Sequence, residues 1–409
     1  MKDELLFLIS GRNTYSDQLS RKFFEMDRCF KSIIPTKVVS GGDFQRKDRN
    51  SYTHLTQAQY HAKWYRRNIF MRGLAESYAE IRNIRHTWQT YRFLQKQNET
   101  YKVIWERSTG LHWAGILYAK RHGIPSILEW KDHLIKDYWS LFKPLVKYIE
   151  SWKNKNSTFI VVESQVLREQ LIGEGVDSDK IYVTYNAVNP EEFRKDTNNR
   201  NDVRQKFGFA DSDLVVGYVG SYAFYHDSIR MIMAAAELKR RGINNVKWLL
   251  VGDGKEKYIC DELVAKEDLL NKSVYMVSRV PKEEVPYYLS AMDVTILPGS
   301  TDIICPIKVM EYMAAESVVM VPDYKCNKEI VDGKTNGLLF EPFNEISIAD
   351  ELERINKNRT LITEIGKQAR KYVSENLTWE KTYGCVLKEI LSKIEHVCPV
   401  KVPDGLYKV

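Results

Sequence analysis

Short apolar runs alternate with amphipathic helical stretches along almost the whole chain. This alternation is typical of βαβ units, in which buried parallel strands are joined by helices that cover the sheet. In the first half the sequence predicts strands at residues 5–9, 102–105, 126–128, 158–162 and 180–184. In the second half it predicts strands at residues 214–219, 246–251, 274–276, 294–297, 318–321 and 338–340. The pattern therefore predicts an α/β protein with two doubly wound units in succession.

The joint between the two units is predicted near residues 186–193, where the segment NAVNPEEF interrupts the pattern with Asn and Pro. We therefore expect an N-terminal domain over residues 1–188 and a C-terminal domain over residues 189–375. Residues 376–409 are expected to form a helix and a tail that pack back toward the N-terminal domain. Ligands of doubly wound sheets bind beyond the carboxyl ends of the strands, so two facing domains would place a site in the cleft between them.

Composition excludes several other classes of protein. Of the 409 residues, 44% are hydrophobic and 28% are charged, which is ordinary for a globular protein and too apolar for a disordered chain. The six cysteines form no C-x-x-C pair and no histidine cluster has the spacing of zinc ligands, so we expect reduced thiols and no metal. We find no leader peptide and no apolar stretch of membrane-spanning length, which predicts a cytoplasmic protein.

Positive charge is concentrated in the first half of the chain. Residues 1–200 hold 33 Lys and Arg residues against 23 Asp and Glu residues, although the net charge of the whole chain is only +7. The segment over residues 61–72 mixes Trp and Tyr with Arg, a composition that suits an anionic membrane surface. We therefore expect peripheral contact with the inner face of a membrane; the alternatives are an anionic ligand in the cleft and a solvated basic face. No recognition motif indicates a nucleic-acid partner.

Two strand-to-helix loops of the second unit are candidates for phosphate binding. Gly220 ends the first strand and permits a tight turn, after which Ser221 and His226 can donate hydrogen bonds to a phosphate. Gly252 and Asp253 form a second sharp turn at the same edge of the sheet. A single glycine turn after a strand is a weak signal, and most such turns are structural loops.

A third loop, in the segment LPGSTDIICPIKVMEYMAAE over residues 297–316, is the most informative. Pro306 lies where the first turn of a helix begins. Lys308 follows in that turn, where a cation opposes the helix dipole and favours an anionic partner such as a diphosphate. Glu311 lies one turn later in an apolar helix face, where a carboxylate accepts hydrogen bonds from a ribose diol. The alternative is a surface ion pair between Lys308 and Glu311.

Taken together, the motifs resemble the donor domain of family 4 glycosyltransferases, which have the architecture called GT-B. The resemblance rests on VGSYAFYHDSIRMIMAAAEL, WLLVGDGKEK, VPKEEVPYYLSAMDVTILPGS, PIKVMEYMAAESVVMVPD and EIVDGKTNGLLFEP, in the order of the family. The segments YKVIWERSTGLHWAGILYAKRHGIPSILEW and TFIVVESQVLREQLIGEGVDSDKIYVTYNAVNPEEF extend it into the first half. The resemblance implies two Rossmann-like domains that face each other across a cleft.

The resemblance also implies roles for individual residues. Glu311 matches the glutamate that holds the nucleotide ribose, and Lys308 matches a lysine near the diphosphate. Gly220 matches the glycine that ends the first donor strand, and Val280 matches the loop whose backbone contacts the base. The other residues expected on the donor side are Ser221, His226, Gly252, Asp253, Ile303 and Pro306.

The sequence departs from the family pattern at several positions. Ile303 stands where the family has a first glutamate that contacts the donor sugar, and Asp302 is the nearest carboxylate that can replace it. Ser221 and His226 stand where a phosphate-binding Arg and Lys are usual. The family's active-site histidine is missing from the first unit, where Glu129 or His133 is expected to replace it on the acceptor side. Gly11, Arg107 and His112 are also expected on that side.

The resemblance implies a retaining glycosyltransferase that uses a nucleotide-diphosphate sugar as donor. The acceptor would be a glycan or a lipid-linked molecule of cell-surface polysaccharide or glycoconjugate assembly. Lys308, Asp302 and Glu129 are the residues expected to act in catalysis, and neither a cofactor nor a metal is expected. The absent first glutamate leaves a catalytically silent sugar-nucleotide-binding protein as the alternative, while a sugar-nucleotide epimerase fits the Pro-Ile-Lys helix less well.

Overall fold

The computed structural model describes residues 3–9, 21–40, 69–131 and 142–397. In these ranges the strands form two six-stranded sheets in which all pairs are parallel. The strands of the first sheet are Leu5–Ile9 (β1), Thr36–Ser40 (β2), Val103–Arg107 (β3), Ser126–Glu129 (β4), Phe159–Val162 (β5) and Ile181–Val183 (β6). Their order across the sheet is β2-β1-β3-β4-β5-β6.

The second sheet has the order of a doubly wound nucleotide-binding fold. Its strands are Leu214–Val219 (β7), Val246–Val251 (β8), Val274–Val277 (β9), Val294–Ile296 (β10), Val318–Pro322 (β11) and Leu338–Phe340 (β12). They lie in the order β12-β11-β10-β7-β8-β9, so the direction of winding reverses between β7 and β10. In such sheets the crevice beyond this reversal point is the usual ligand site.

Helices connect the strands throughout both units. The described α-helices are Arg21–Lys31 (α1), Ile69–Gln97 (α2), Ala114–His122 (α3), Lys143–Asn156 (α4), Gln165–Gly173 (α5), Thr197–Phe207 (α6), Ile229–Arg240 (α7), Lys257–Lys266 (α8), Val285–Ser290 (α9), Ile307–Ala314 (α10), Lys325–Lys328 (α11), Glu345–Lys357 (α12), Thr360–Asn376 (α13) and Cys385–Val397 (α14). A π-helical turn, Glu380–Gly384, precedes α14. None of the helices in the described ranges is long and apolar enough to cross a membrane.

Both sheets are covered on their two faces. Along β7, Val216 and Tyr218 belong to one apolar cluster, whereas Val215 belongs to the cluster on the opposite face. Along β1, Phe7 faces one cluster and Leu8 faces another. Burial on both faces explains why these strands are continuous apolar runs rather than alternating ones. The predicted α/β class with two doubly wound sheets is confirmed.

One strand was missing from the predicted set. β2 is an edge strand, and Thr36, Lys37 and Val38 are only partly buried. Because an edge strand buries less apolar surface, its sequence TKVVS lacks the continuous run that identified its neighbours. All the predicted strands are present, and their ends differ from the predicted ones by at most two residues.

Two segments connect the halves of the chain, and they contact each other. The Val188 amide donates a hydrogen bond to the Leu377 carbonyl over 3.0 Å. Beyond this crossing, Leu387 and Ile390 of α14 pack in the same apolar cluster as Trp105 of the first sheet. The domain limits at residues 188 and 375 stay a prediction.

Candidate functional site

A cavity of about 310 Å³ opens at the carboxyl ends of β7 and β8. The loops around it are joined by backbone hydrogen bonds, since the Tyr222 amide donates to the Asp253 carbonyl over 3.2 Å. Both predicted glycine turns and the predicted base-contacting loop lie on its wall. The lining residues are Val219, Gly220, Ser221, Val251, Gly252, Asp253, Arg279, Val280 and Val285.

Glycine is needed at both turns, but for different reasons. Gly252 has a φ of +144°, and a Cβ there would overlap the Gly220 carbonyl oxygen. Gly220 has no positive φ; a Cβ on it would instead lie against the Lys308 amine and the Tyr218 hydroxyl. We predicted a tight turn at Gly220, whereas in the structure the missing side chain makes room for Lys308.

Helix α10 is held against the end of β7 by one tyrosine. The buried Tyr312 hydroxyl donates to the Val219 carbonyl and accepts from the Val219 amide, each over 2.9 Å. Pro306 directly precedes the helix, which is within one residue of its predicted place in the first turn. The contact sets the position of Lys308 and Glu311, which lie on α10 and are both partly buried rather than exposed.

We expect Tyr312→Phe to lower the free energy of unfolding by about 1–3 kcal/mol, because the substitution leaves the partly buried Val219 amide without its acceptor. Urea denaturation of both proteins measures this difference. Tyr148→Phe is the matched control, since the Tyr148 side chain is exposed on α4. Equal losses for the two variants would contradict an anchoring role of Tyr312.

The Lys308 amine lies beside the cavity among uncharged groups. Its Nζ is 3.4 Å from the Tyr218 hydroxyl and 3.4 Å from His226 Nε2, and it is 4.8 Å from the centre of the Tyr218 ring. Burial lowers the pKa of Lys308 to about 8, although the Glu311 charge acts in the opposite direction. The amine is therefore mostly charged at neutral pH and would be stabilised by an anion.

His226 supports Lys308 without neutralising its charge. Its Nδ1 is 3.3 Å from the Gly299 carbonyl, so we assign the proton to Nδ1 and leave Nε2 to accept from Lys308. Burial and the neighbouring Lys308 lower the pKa of His226 to about 4, which keeps the imidazole neutral. Since His226 is buried, it would act on a phosphate through Lys308 rather than by direct donation.

Ile303, which stands where the family has its first glutamate, is a packing residue in this structure. Ile303 packs against an apolar cluster of the first unit that contains Leu128 and Leu167, and its carbonyl accepts a hydrogen bond from Ser164. Asp302 is exposed on the same loop. Ile303 therefore lies in an apolar environment and Asp302 in solvent. That Asp302 takes over the role of the absent glutamate stays a prediction.

On the acceptor side, Glu129 and Arg107 form one ion pair at the ends of β4 and β3. Glu129 is fully buried and accepts a second hydrogen bond from Trp105 Nε1 over 3.2 Å. The Arg107 guanidinium lies 4.6 Å from the centre of the Phe23 ring. Glu129 is thus covered by Arg107 and Trp105 instead of facing the cleft, contrary to the exposed position that an acceptor-side carboxylate requires.

His112 is also buried rather than presented to a ligand. Its Nδ1 is 2.9 Å from Glu106 Oε1, and the other oxygen of Glu106 accepts from the Ile116 amide over 2.8 Å. This pair holds the start of α3 against β3. Gly11 and His133 lie outside the described residues, as do residues 61–68 of the basic aromatic segment.

Sequence reasoning missed three charged residues that join the Glu129–Arg107 pair: Lys22, Lys131 and Glu163. The sequence did contain a signal for two of them, because charged residues follow two buried strands. Lys131 comes two residues after β4, and Glu163 comes directly after β5. In the described ranges, no group of three or more His, Cys, Asp or Glu side chains is arranged to hold a metal ion.

Two family models match consecutive parts of the chain. Residues 199–372 match the model described as glycosyl transferases group 1, and residues 53–192 match glycosyltransferase family 4. An uncharacterised glycosyltransferase of Methanocaldococcus jannaschii is 24% identical over 238 residues, which are 58% of this chain and 59% of that protein. The alpha-D-kanosaminyltransferase of Streptomyces kanamyceticus is 26% identical over 156 residues, 38% of this chain and 39% of that protein. The matches thus span less than two thirds of these relatives.

The fold as a whole is shared with a solved structure. The crystal structure of HepE from Anabaena in complex with UDP has a TM-score of 0.70 and 15% identity, over 95% of this chain and 100% of that one. Two parallel doubly wound sheets with this order define the GT-B class. Because two consecutive family models match on the same fold, the chain belongs to the family 4 type of GT-B glycosyltransferases.

Proposed function

We propose that the protein transfers a sugar from a nucleotide-diphosphate sugar to a glycan or lipid-linked acceptor with retention of anomeric configuration. The observation that carries the proposal is the Lys308 ammonium beside the cavity, held by a hydroxyl and a neutral imidazole. A diphosphate would supply the counter-charge that these neutral groups do not. HepE has been solved with UDP and with UDP-glucose, which supports a nucleotide sugar as the ligand of this fold.

The proposed reaction is a substitution at the anomeric carbon of the donor. The acceptor oxygen forms a bond to that carbon while the bond to the diphosphate oxygen breaks, and the acceptor proton passes to the departing diphosphate. Lys308, the start of α10 and the Ser221 amide would stabilise the negative charge that grows on the leaving group. The Gly220 amide is not part of this set, because it donates to the Val251 carbonyl over 3.0 Å. Most of the catalytic effect would come from positioning two substrates and from this stabilisation.

The burial of Glu129 favours a mechanism in which the acceptor oxygen attacks the anomeric carbon from the same face as the leaving diphosphate. A double displacement would need a carboxylate that reaches the anomeric carbon, yet Glu129 is buried beneath Arg107 and Trp105. Asp302 is exposed and is proposed to orient sugar hydroxyls. In this mechanism the diphosphate itself accepts the proton, so retention does not require a protein nucleophile.

A panel of nucleotide sugars tests the function. A ligand at 100 times its Kd stabilises the folded protein by about 2.7 kcal/mol, which a thermal melt detects. The stabilising donor is then incubated with candidate acceptors, and NMR establishes the anomeric configuration of the product. Binding without any transfer or hydrolysis would favour the catalytically silent alternative. Conversion of the donor in the absence of acceptor would indicate an epimerase.

We also propose contact with an anionic membrane, and the described part of α2 supports it. Tyr78, Ile81, Arg85, Trp88 and Arg92 are exposed and recur at helical spacing on one face. Aromatic rings favour the headgroup level of a bilayer, and each basic side chain near an anionic surface contributes about 1 kcal/mol.

We expect the full chain to co-sediment with vesicles that contain phosphatidylglycerol and to be released by high salt. The double substitution Arg85→Gln and Arg92→Gln should reduce binding several-fold, because it removes two charges from the exposed face of α2. Arg354→Gln with Lys357→Gln is the control, since it removes the same charge from α12 of the second unit. Equal binding to neutral and anionic vesicles would contradict the electrostatic part of the proposal.

A further inference from the structure

Five charged side chains meet at the carboxyl edge of the first sheet, and we call them the Glu163 cluster: Lys22, Arg107, Glu129, Lys131 and Glu163. Glu163 Oε1 accepts a hydrogen bond from Lys22 and lies 3.4 Å from Lys131 Nζ and 3.9 Å from Arg107 Nη1. Lys22 Nζ is also 3.6 Å from Glu129 Oε1, which pairs with Arg107. The cluster therefore has three cations for two carboxylates.

The excess positive charge faces outward. The side chains of Glu129 and Glu163 are 0% and 2% exposed, whereas those of Lys22 and Lys131 are 15% and 27% exposed. Burial and the Arg107 charge lower the pKa of Lys131 to about 8. Although burial acts in the opposite direction, the cations hold the pKa of Glu163 well below its usual range. An approaching ligand therefore meets ammonium groups, with both carboxylates beneath them.

The cluster borders the loop that leads into α10. Ser164, the residue after the cluster's glutamate, donates a hydrogen bond to the Ile303 carbonyl. Lys22 donates to Asn186 Oδ1 over 2.9 Å, and Asn186 Nδ2 donates to the Cys305 carbonyl over 3.0 Å. The cations thus lie on the first unit, and Lys22 is linked through Asn186 to the part of the second unit that precedes Lys308. A group bound there would belong to a substrate in the cleft.

We propose that the Glu163 cluster binds an anionic group, a carboxylate or a phosphate monoester, that is carried by the transferred sugar or by the acceptor. Lys131 and Lys22 are the contacting residues, because their side chains are more accessible to solvent than that of Arg107. The inference rests on the proposed function and deepens it, since it specifies that one of the two substrates is an anionic sugar. Charge-assisted hydrogen bonds to such a group are about twice as strong as neutral ones. A neutral sugar would leave the excess charge uncompensated.

Calorimetry with matched pairs of ligands on the full chain tests this inference. The donor arm compares UDP-glucose with UDP-glucuronate and GDP-mannose with GDP-mannuronate. The acceptor arm compares glucose with glucose 6-phosphate in the presence of the nucleoside diphosphate. We expect the charged member of a pair in one arm to bind on the order of tenfold more tightly than its neutral partner. The arm that shows the difference identifies which substrate carries the anion.

Variants locate the effect at the cluster. Lys131→Gln is expected to weaken the charged member more than the neutral one, whereas Lys131→Arg should retain the preference. Lys147→Gln is the control, because Lys147 is an exposed lysine of the same half on α4. Wild-type protein that binds both members of every pair equally would overturn the inference, as would equal effects of Lys131→Gln and Lys147→Gln. Failure of all the nucleotides and nucleotide sugars to bind would instead overturn the proposed function, and this inference with it.

Discussion

Replacing Glu311 with alanine is expected to weaken nucleoside-diphosphate binding by one to two orders of magnitude. Hydrogen bonds to a charged group contribute about 1.5–3 kcal/mol, and about 1.4 kcal/mol corresponds to a tenfold change in Kd. The resemblance to the family implies that Glu311 holds the ribose, and its side chain is partly buried one turn after Lys308. Because Tyr312 holds α10 against β7, the helix that carries the carboxylate is in place before the ligand binds. Binding therefore costs little conformational entropy at Glu311.

Isothermal titration calorimetry of the nucleoside diphosphate measures this loss. Glu262→Ala is the matched control, since Glu262 is an exposed glutamate on α8 of the same half. The loss should also exceed that of any single substitution in residues 1–190. An unchanged Kd in Glu311→Ala would show that the ribose is held elsewhere and would remove this assignment.

Replacing Lys308 with alanine is expected to lower kcat by about 100- to 1,000-fold, the size of effect seen when one stabilising donor of a developing anion is removed. Negative charge on the diphosphate grows as the glycosidic bond breaks, so the ammonium stabilises the transition state more than the bound substrate. The donor Kd should therefore change much less than kcat. A raised KM with an unaltered kcat would mean that Lys308 supplies uniform binding only.

The pH dependence offers a second test of Lys308. Its pKa of about 8 means that the ammonium is present below that pH and is lost above it. The kcat/KM of the unmodified enzyme should therefore fall as the pH rises through 8, since this parameter reports groups of the free enzyme. A bound diphosphate favours the charged form, so kcat should fall only at higher pH. The decline should be smaller in Lys308→Ala, where Lys131 still has a pKa of about 8, and should persist in full in Lys266→Ala, an exposed control on α8.

Local sequence determined the fold class because buried parallel strands need continuous apolar runs. The runs at β7 and β8 are buried on both faces and were predicted with their observed ends. Edge strand β2 was missed, because half-buried residues such as Lys37 do not form an apolar run. Linked motifs around Pro306 and Glu311 also identified the family, since their order along the chain reflects one shared fold.

Only the tertiary structure decided which polar residues face a ligand. Glu129 ends buried strand β4 and Glu163 directly follows buried strand β5, so the two look alike in the sequence. Arg107 and Lys22 approach them from other elements of the fold. Likewise, the need for glycine at position 220 comes from Lys308, 88 residues later, rather than from the local turn. Hydropathy periodicity reports on burial within one element, whereas ion pairing and close approach depend on how distant elements pack.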